Sequence, residues 1–218
     1  MVKGVIFDMD GLMIDSERLY FQTEREMARR FQKNVKEETL WKMMGRNPIE
    51  SMKIFVEELE LPLTARKALD MRNIIMRKKL RTDLKVMPGL NHILDAFPGK
   101  IKLAVCTGAQ QEFLDIVVDQ LGIREKFAVL QASDEIKKGK PEPDIYLVVC
   151  DKLRLEPHDC IVLEDSSNGA LAAKQAGCYT IAVPSEYTFG QDFTFVDYIA
   201  ADLFQAEKHI HDLLQNSS

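Results

Sequence analysis

The stretch VIFDMDGLMID at 5–15 is an apolar run that ends on two carboxylates, Asp8 and Asp10, followed by Gly11. An ionised carboxylate is costly to bury without a partner, and two close together repel. The pair therefore implies a cation or a reaction that uses both. Asp8 is a candidate nucleophile, because a carboxylate can accept a phosphoryl group as an aspartyl phosphate and so split one displacement into two. Asp10 falls on the same side if the chain stays extended, where it can protonate a departing oxygen and later take a proton from water. Gly11 lets the backbone turn closely around a phosphoryl group. Farther on, Thr107 and Gly108 offer a hydroxyl and a backbone N–H to phosphate oxygens, and Lys140 offers a neutralising charge. Glu164 and Asp165 join Asp8 in the all-oxygen ligand set that Mg2+ prefers.

These residues are far apart in the chain, so an ordered scaffold has to gather them. Apolar, β-branched runs read as strands at 2–7, 101–107, 127–132, 160–164 and 179–183, with helical periods such as 110–121 and 145–153 between them. That alternation predicts a parallel sheet with helices on both faces. Asp8, Thr107, Ser133–Asp134 and Glu164–Asp165 then fall at the carboxyl ends of four strands, where open α/β sheets bind ligands. In GKPEPDIY the proline at 141 turns Lys140 away from helical geometry and Pro143 suits the first turn of the next helix. In EDSSNGA, Ser and Asn can cap a helix and Gly169 allows close packing. Between residues 15 and 85 the strand pattern stops, leaving helical periods at 17–31, 37–44, 49–59 and 64–80. We expect a core of 1–14 with 86–218 and an inserted helical domain at 15–85.

Composition limits the functional classes. The chain has 218 residues, 46% hydrophobic and 29% charged, enough for one good core and a smaller second unit. A net charge of -5 argues against a general nucleic-acid binder. No apolar run approaches the roughly 20 residues of a membrane helix, and the start runs into a strand, not a signal peptide. A cytoplasmic monomer without membrane or nucleic-acid partners is the expectation. The four cysteines form no CxxC pair and read as reduced, buried thiols. An EF-hand loop starting at Asp8 would need Gly where Met13 stands.

The motifs FDMDG at 7–11, CTG at 106–108, GKPEPD at 139–144 and LEDSSNG at 163–169 together resemble the four ordered motifs of the haloacid dehalogenase superfamily. The resemblance implies an α/β fold with a Rossmann-like parallel-sheet core and an inserted α-helical cap. It points to the branch holding β-phosphoglucomutases and many small-molecule phosphatases. Within that branch, FDMDGLMIDSERLY is similar to sugar-phosphate and pseudouridine-5'-phosphate phosphatases. It implies Asp8 as nucleophile, Asp10 as acid/base, and Thr107 and Lys140 as phosphate ligands. It further implies Mg2+ held by Asp8, Asp165 and the Asp10 carbonyl, with Glu164 as a further ligand. An acid at Asp10 suits phosphoryl chemistry, since a halide leaving group needs no proton. The expected function is Mg2+-dependent hydrolysis of a small phosphorylated metabolite. A phosphomutase is the first alternative, weakened because Tyr20 stands where the mutases carry a His, and a non-catalytic metabolite binder is the second. Substrate choice is expected from the inserted domain, with Tyr20 and the Arg46–Asn47 break in MMGRNPIES as candidates. An interhelical turn with a solvated Arg is an equal reading of that break.

Overall fold

A computed structural model describes residues 2–97, 99 and 101–215. Met1, which opens the expected core segment, and 216–218, which close it, lie outside the described residues. Among those described, contacts divide the chain into two compact units, Met1–Asp15 with Lys85–Ser218, and Ser16–Leu84.

The first unit is built on strands β1 (Gly4–Phe7), β2 (Lys102–Cys106), β3 (Val129–Gln131), β4 (Cys160–Glu164), β5 (Tyr179–Ala182) and β6 (Tyr198–Ile199). All adjacent pairs are parallel, in the order β3-β2-β1-β4-β5-β6. Every residue of β1 and β4 is buried, as expected of strands covered on both faces and written in Val, Ile and Leu. β1 lies in the middle, in register with Lys102–Val105 on one side and Cys160–Leu163 on the other. In an open α/β sheet of this order the ligand crevice opens at the carboxyl ends of the strands, where the direction of winding reverses. Beyond β1, Asp8 still joins the ladder, its N–H donating to the Leu163 carbonyl at 3.0 Å. The chain turns from Gly11, with Met13 N–H and Ile14 N–H both donating to the Met9 carbonyl and with Gly11 at φ +78°, a conformation open mainly to glycine.

In chain order the helices are α1 (Ser16–Arg30), α2 (Glu37–Met43), α3 (Pro48–Glu58), α4 (Ala65–Thr82), α5 (Leu90–Asp95), α6 (Gln111–Gln120), α7 (Asp144–Leu153), α8 (Ser167–Ala176) and α9 (Leu203–Gln215). Within the first unit, α7 and α8 lay Tyr146, Val149, Leu153, Ala172 and Ala173 against Ile6, Ala104 and Val162 of the sheet. Pro143 precedes α7 as its cap and is not in its first turn. Ser166 caps α8, its Oγ accepting from Gly169 N–H at 3.1 Å. Helix α6 has no cap from its own Gln110. Instead Asp134, beyond β3, accepts from Gln111 N–H at 2.6 Å, so that polar strand end serves the scaffold.

The second unit holds α1 to α4 around Met27, Met43, Met52, Phe55, Leu69 and Ile75. Asn47 starts α3 by accepting from Glu50 N–H at 3.0 Å, with Pro48 next to it in the first turn, and Thr64 does the same for α4. Two charged residues are buried among the described residues of this unit. Glu24 of α1 is 4% exposed and Arg72 of α4 is 7% exposed. Burial pushes the Glu24 carboxyl up to about 8, although the neighbouring Arg72 charge works against the shift. The Arg72 guanidinium stands 5.2 Å from the Tyr20 ring centre.

Candidate active site

Three strand ends of the first unit, with the loop before α7, deliver the site. Asp8 follows β1 and is 5% exposed. Lys140, in the loop before α7, donates to Asp8 Oδ1 at 2.6 Å and to Glu164 Oε1 at 2.5 Å, with the Cys106 carbonyl at 3.5 Å. Burial opposes the lysine's charge, but the two carboxylates outweigh it and hold its pKa well above the ordinary value. Asp8 is also raised, by burial first, while Lys140 pulls it down and Glu164 and Asp10 push it up. An ionised Asp8 therefore depends on positive charge supplied at the site.

Asp10 Oδ2 accepts from the Thr107 hydroxyl at 3.0 Å, and that hydroxyl accepts in turn from Ala109 N–H at 3.0 Å. Thr107 is wholly buried, so its proton serves Asp10 in this arrangement. Gly108 is exposed, with open space where a Cβ would sit. Asp165 lies against Gly11, where a Cβ would come within 2.2 Å of its Oδ2. Oxygens of Asp8, Glu164 and Asp165 lie within 4.8 Å of one another, and all three residues are buried. A buried, oxygen-only set of that size fits a small hard divalent cation.

The site can thus present a carboxylate nucleophile, a proton carrier, an ammonium and a cation-binding set around one point. The Haloacid dehalogenase-like hydrolase family model matches residues 5–183. The chain belongs to that family. Over 177 residues it is 34% identical to a phosphorylated carbohydrates phosphatase of Thermotoga maritima, covering 81% of this chain and 82% of the relative. It is 35% identical over 194 residues to (DL)-glycerol-3-phosphatase 2 of Arabidopsis thaliana, covering 84% and 80%. The crystal structure of CbbY from Rhodobacter sphaeroides shares the fold, with a TM-score of 0.84 at 24% identity over 93% of this chain and 95% of that one. This family member is a phosphoric monoester hydrolase.

Within the hydrolase, several residues that hold the site carry no signal in the sequence. Glu164 Oε1 also accepts from Tyr146 Oη at 2.8 Å, and its Oε2 accepts from Ser166 N–H at 3.1 Å and Ser166 Oγ at 3.0 Å. Tyr146 reads as one more apolar position on a helix face, and burial together with Glu164 holds its pKa well above the ordinary tyrosine value. Thr188, in the loop after β5, approaches Asp165 Oδ2 at 3.5 Å. Gln191 of that loop accepts from Ser167 N–H at 2.7 Å, so the loop braces the turn that carries Asp165.

The residues expected to choose the substrate have local contacts in the helical unit. The Arg46 Nε donates to the Lys42 carbonyl at 2.7 Å and closes the end of α2, and Asn47 caps α3. Both contacts are those of an interhelical turn. Tyr20 is half-buried on α1 beneath Arg72. Among the described residues no helix is long and apolar enough to cross a membrane.

Proposed function

We propose that this phosphatase hydrolyses a small phosphorylated sugar or polyol in two steps through Asp8. Asp8 attacks phosphorus, the bond to the departing oxygen breaks, and Asp10 gives that oxygen its proton. Water then attacks the aspartyl phosphate, Asp10 takes a proton from it, and the Asp8–phosphorus bond breaks to release inorganic phosphate. The meeting of Asp8 with Lys140 at the carboxyl end of the central strand carries this reading. The ammonium favours ionised Asp8 and matches the charge of an incoming phosphoryl group. The Thr107 hydroxyl fixes the Asp10 carboxyl by Oδ2, and Asp10 is only half-buried, which suits a group that trades protons with solvent. Asp8 and Asp165, with the Asp10 carbonyl, would hold Mg2+, which when bound offsets repulsion between nucleophile and phosphate, while the Glu164 oxygens of the expected ligand set are engaged by Lys140, Tyr146 and Ser166. The substrate class rests on the relatives named as phosphatases of phosphorylated carbohydrates and of glycerol 3-phosphate. The cysteines at 106, 150, 160 and 178 are all free and buried, which supports a reducing, cytoplasmic setting.

The test is phosphate release from a panel of sugar and polyol phosphates, with Mg2+ and with excess chelator. Release that needs Mg2+, survives Ca2+ poorly and disappears in Asp8→Asn is expected. Full activity in chelator, or near-normal turnover by Asp8→Asn, would overturn the mechanism. An isomeric phosphate in place of free phosphate would mark a mutase.

A further inference from the structure

We propose that Tyr146 and Ser166 are positioning residues that lock Glu164 so that Lys140 stands between it and Asp8. The inference rests on Lys140 being the phosphate ligand. An ionised carboxylate offers about four lone-pair sites. Glu164 meets four donors: Tyr146 Oη and Lys140 Nζ on Oε1, and Ser166 N–H and Oγ on Oε2. The carboxylate is 1% exposed and also lies against Gly169, where a Cβ would fall 1.8 Å from Oε1. It has no room to swing.

The lysine does need such a guide. Its ammonium is a point charge on a flexible stem, without the fixed geometry of a guanidinium. Here it is shared between carboxylate oxygens at 2.6 Å and 2.5 Å, and its position depends on how strongly each pulls. Tyr146 Oη draws on the same Oε1 and so weakens the pull of Glu164 on Lys140. Its ring lies 5.0 Å from Nζ and closes that side. Without the phenol, Oε1 has one donor fewer and Lys140 leans toward Glu164, away from Asp8 and the phosphoryl group.

Tyr146→Phe keeps the ring and removes the donor. Ser166→Gly keeps the N–H and, at a helix N-cap, costs only a few tenths of a kcal/mol. Removing a residue that orients a ligand typically costs about 10- to 100-fold. For both variants we expect kcat/KM on an aryl phosphate to fall by about that factor and the inhibition constant of inorganic phosphate to rise about tenfold. Mg2+ affinity, measured by calorimetry without substrate, should stay within about twofold. A folded Tyr146→Phe with both kinetic constants within about twofold of the parent would overturn the proposal, as would a loss of Mg2+ affinity in step with phosphate. Should Tyr146→Phe fail to fold, the same outcomes in Ser166→Gly decide. Lys140→Met separates the two levels. Unchanged phosphate inhibition there overturns the underlying role of Lys140, whereas weakened inhibition there beside an unchanged Tyr146→Phe overturns only the role given to Tyr146.

Discussion

Replacing Glu24 by Gln should stabilise the helical unit, and more so at pH 7 than at pH 5. The carboxyl titrates near 4.5 when exposed and near 8 in the fold, chiefly because burial disfavours its charge, with Arg72 and Arg25 pulling it down and Glu17 pushing it up. Since the folded value is the higher one, the unfolded chain loses this proton first as pH rises. Stability therefore falls from about pH 4.5 upward and levels off above about pH 8. Each pH unit between those limits is worth about 1.4 kcal/mol, so the native carboxyl costs just under 1 kcal/mol at pH 5 and about 3 kcal/mol at pH 7. Gln has the shape of the protonated acid and no such slope, and the advantage of the variant should grow by roughly 2 to 3 kcal/mol between the two pH values. The chain has a single tryptophan, Trp41 of α2, whose ring stands edge-on to Phe21 of α1 at 5.4 Å. Urea unfolding followed by its fluorescence thus reports on this unit. A difference between variant and parent that is equal at pH 5 and pH 7, or that shrinks, would refute the reasoning and mean that Arg72 stabilises the ionised form far more than burial disfavours it.

Asp10→Asn should cut turnover by about 10² to 10⁴ while leaving Asp8 able to take up a phosphoryl group from an activated donor, seen as a burst of leaving group. A variant without a burst and without a rate loss would remove Asp10 from proton transfer. Gly169→Ala should lower activity at least about tenfold even though Ala favours helix by about 1 kcal/mol, because relieving the contact with Glu164 breaks its hydrogen bonds; unchanged activity with a raised Tm would show that the carboxylate yields cheaply. Arg46→Ala should lower kcat/KM for a sugar phosphate far more than for an aryl phosphate if Arg46 selects substrate, and equal or absent losses would leave it as the closing residue of α2. Asn47→Ala should cost about 1 kcal/mol of stability in urea, and no change would show that Pro48 alone starts α3.

Much of the scaffold was legible because its signals are local. VIF, LAVC and IVLE are apolar, β-branched runs that nothing but a covered strand would bury, and β1, β2, β4 and β5 lie within the runs that predict them. The two-residue β6 has no such run, since it exists by pairing with Ile181 and Ala182. Asp8, Lys140, Glu164 and Asp165 could be grouped in advance because each stands where an apolar or helical pattern breaks. Their neighbours could not. Tyr146 is an apolar residue to any periodicity, and its hydroxyl matters only because α7 brings it to Glu164. The turn that follows Asp10 was legible only in Gly11, which takes a positive φ, and not in Met9, whose carbonyl accepts two N–H groups. Arg46 and Asn47 look chemical in isolation, yet their first contacts are with the ends of their own helices.

The central place of β1 also governs how the chain is made. Its neighbours are Lys102 and Cys160 at the far ends of long connections, so β1, which precedes both in the chain, has no local partner. At roughly 5–20 residues per second, its apolar Val5–Phe7 segment waits on the order of ten seconds before β4 exists to cover its second edge. Low contact order would have spared it that exposure. A nascent chain of this design depends on dilution, or on a chaperone that shields a short apolar strand, more than its finished stability would suggest.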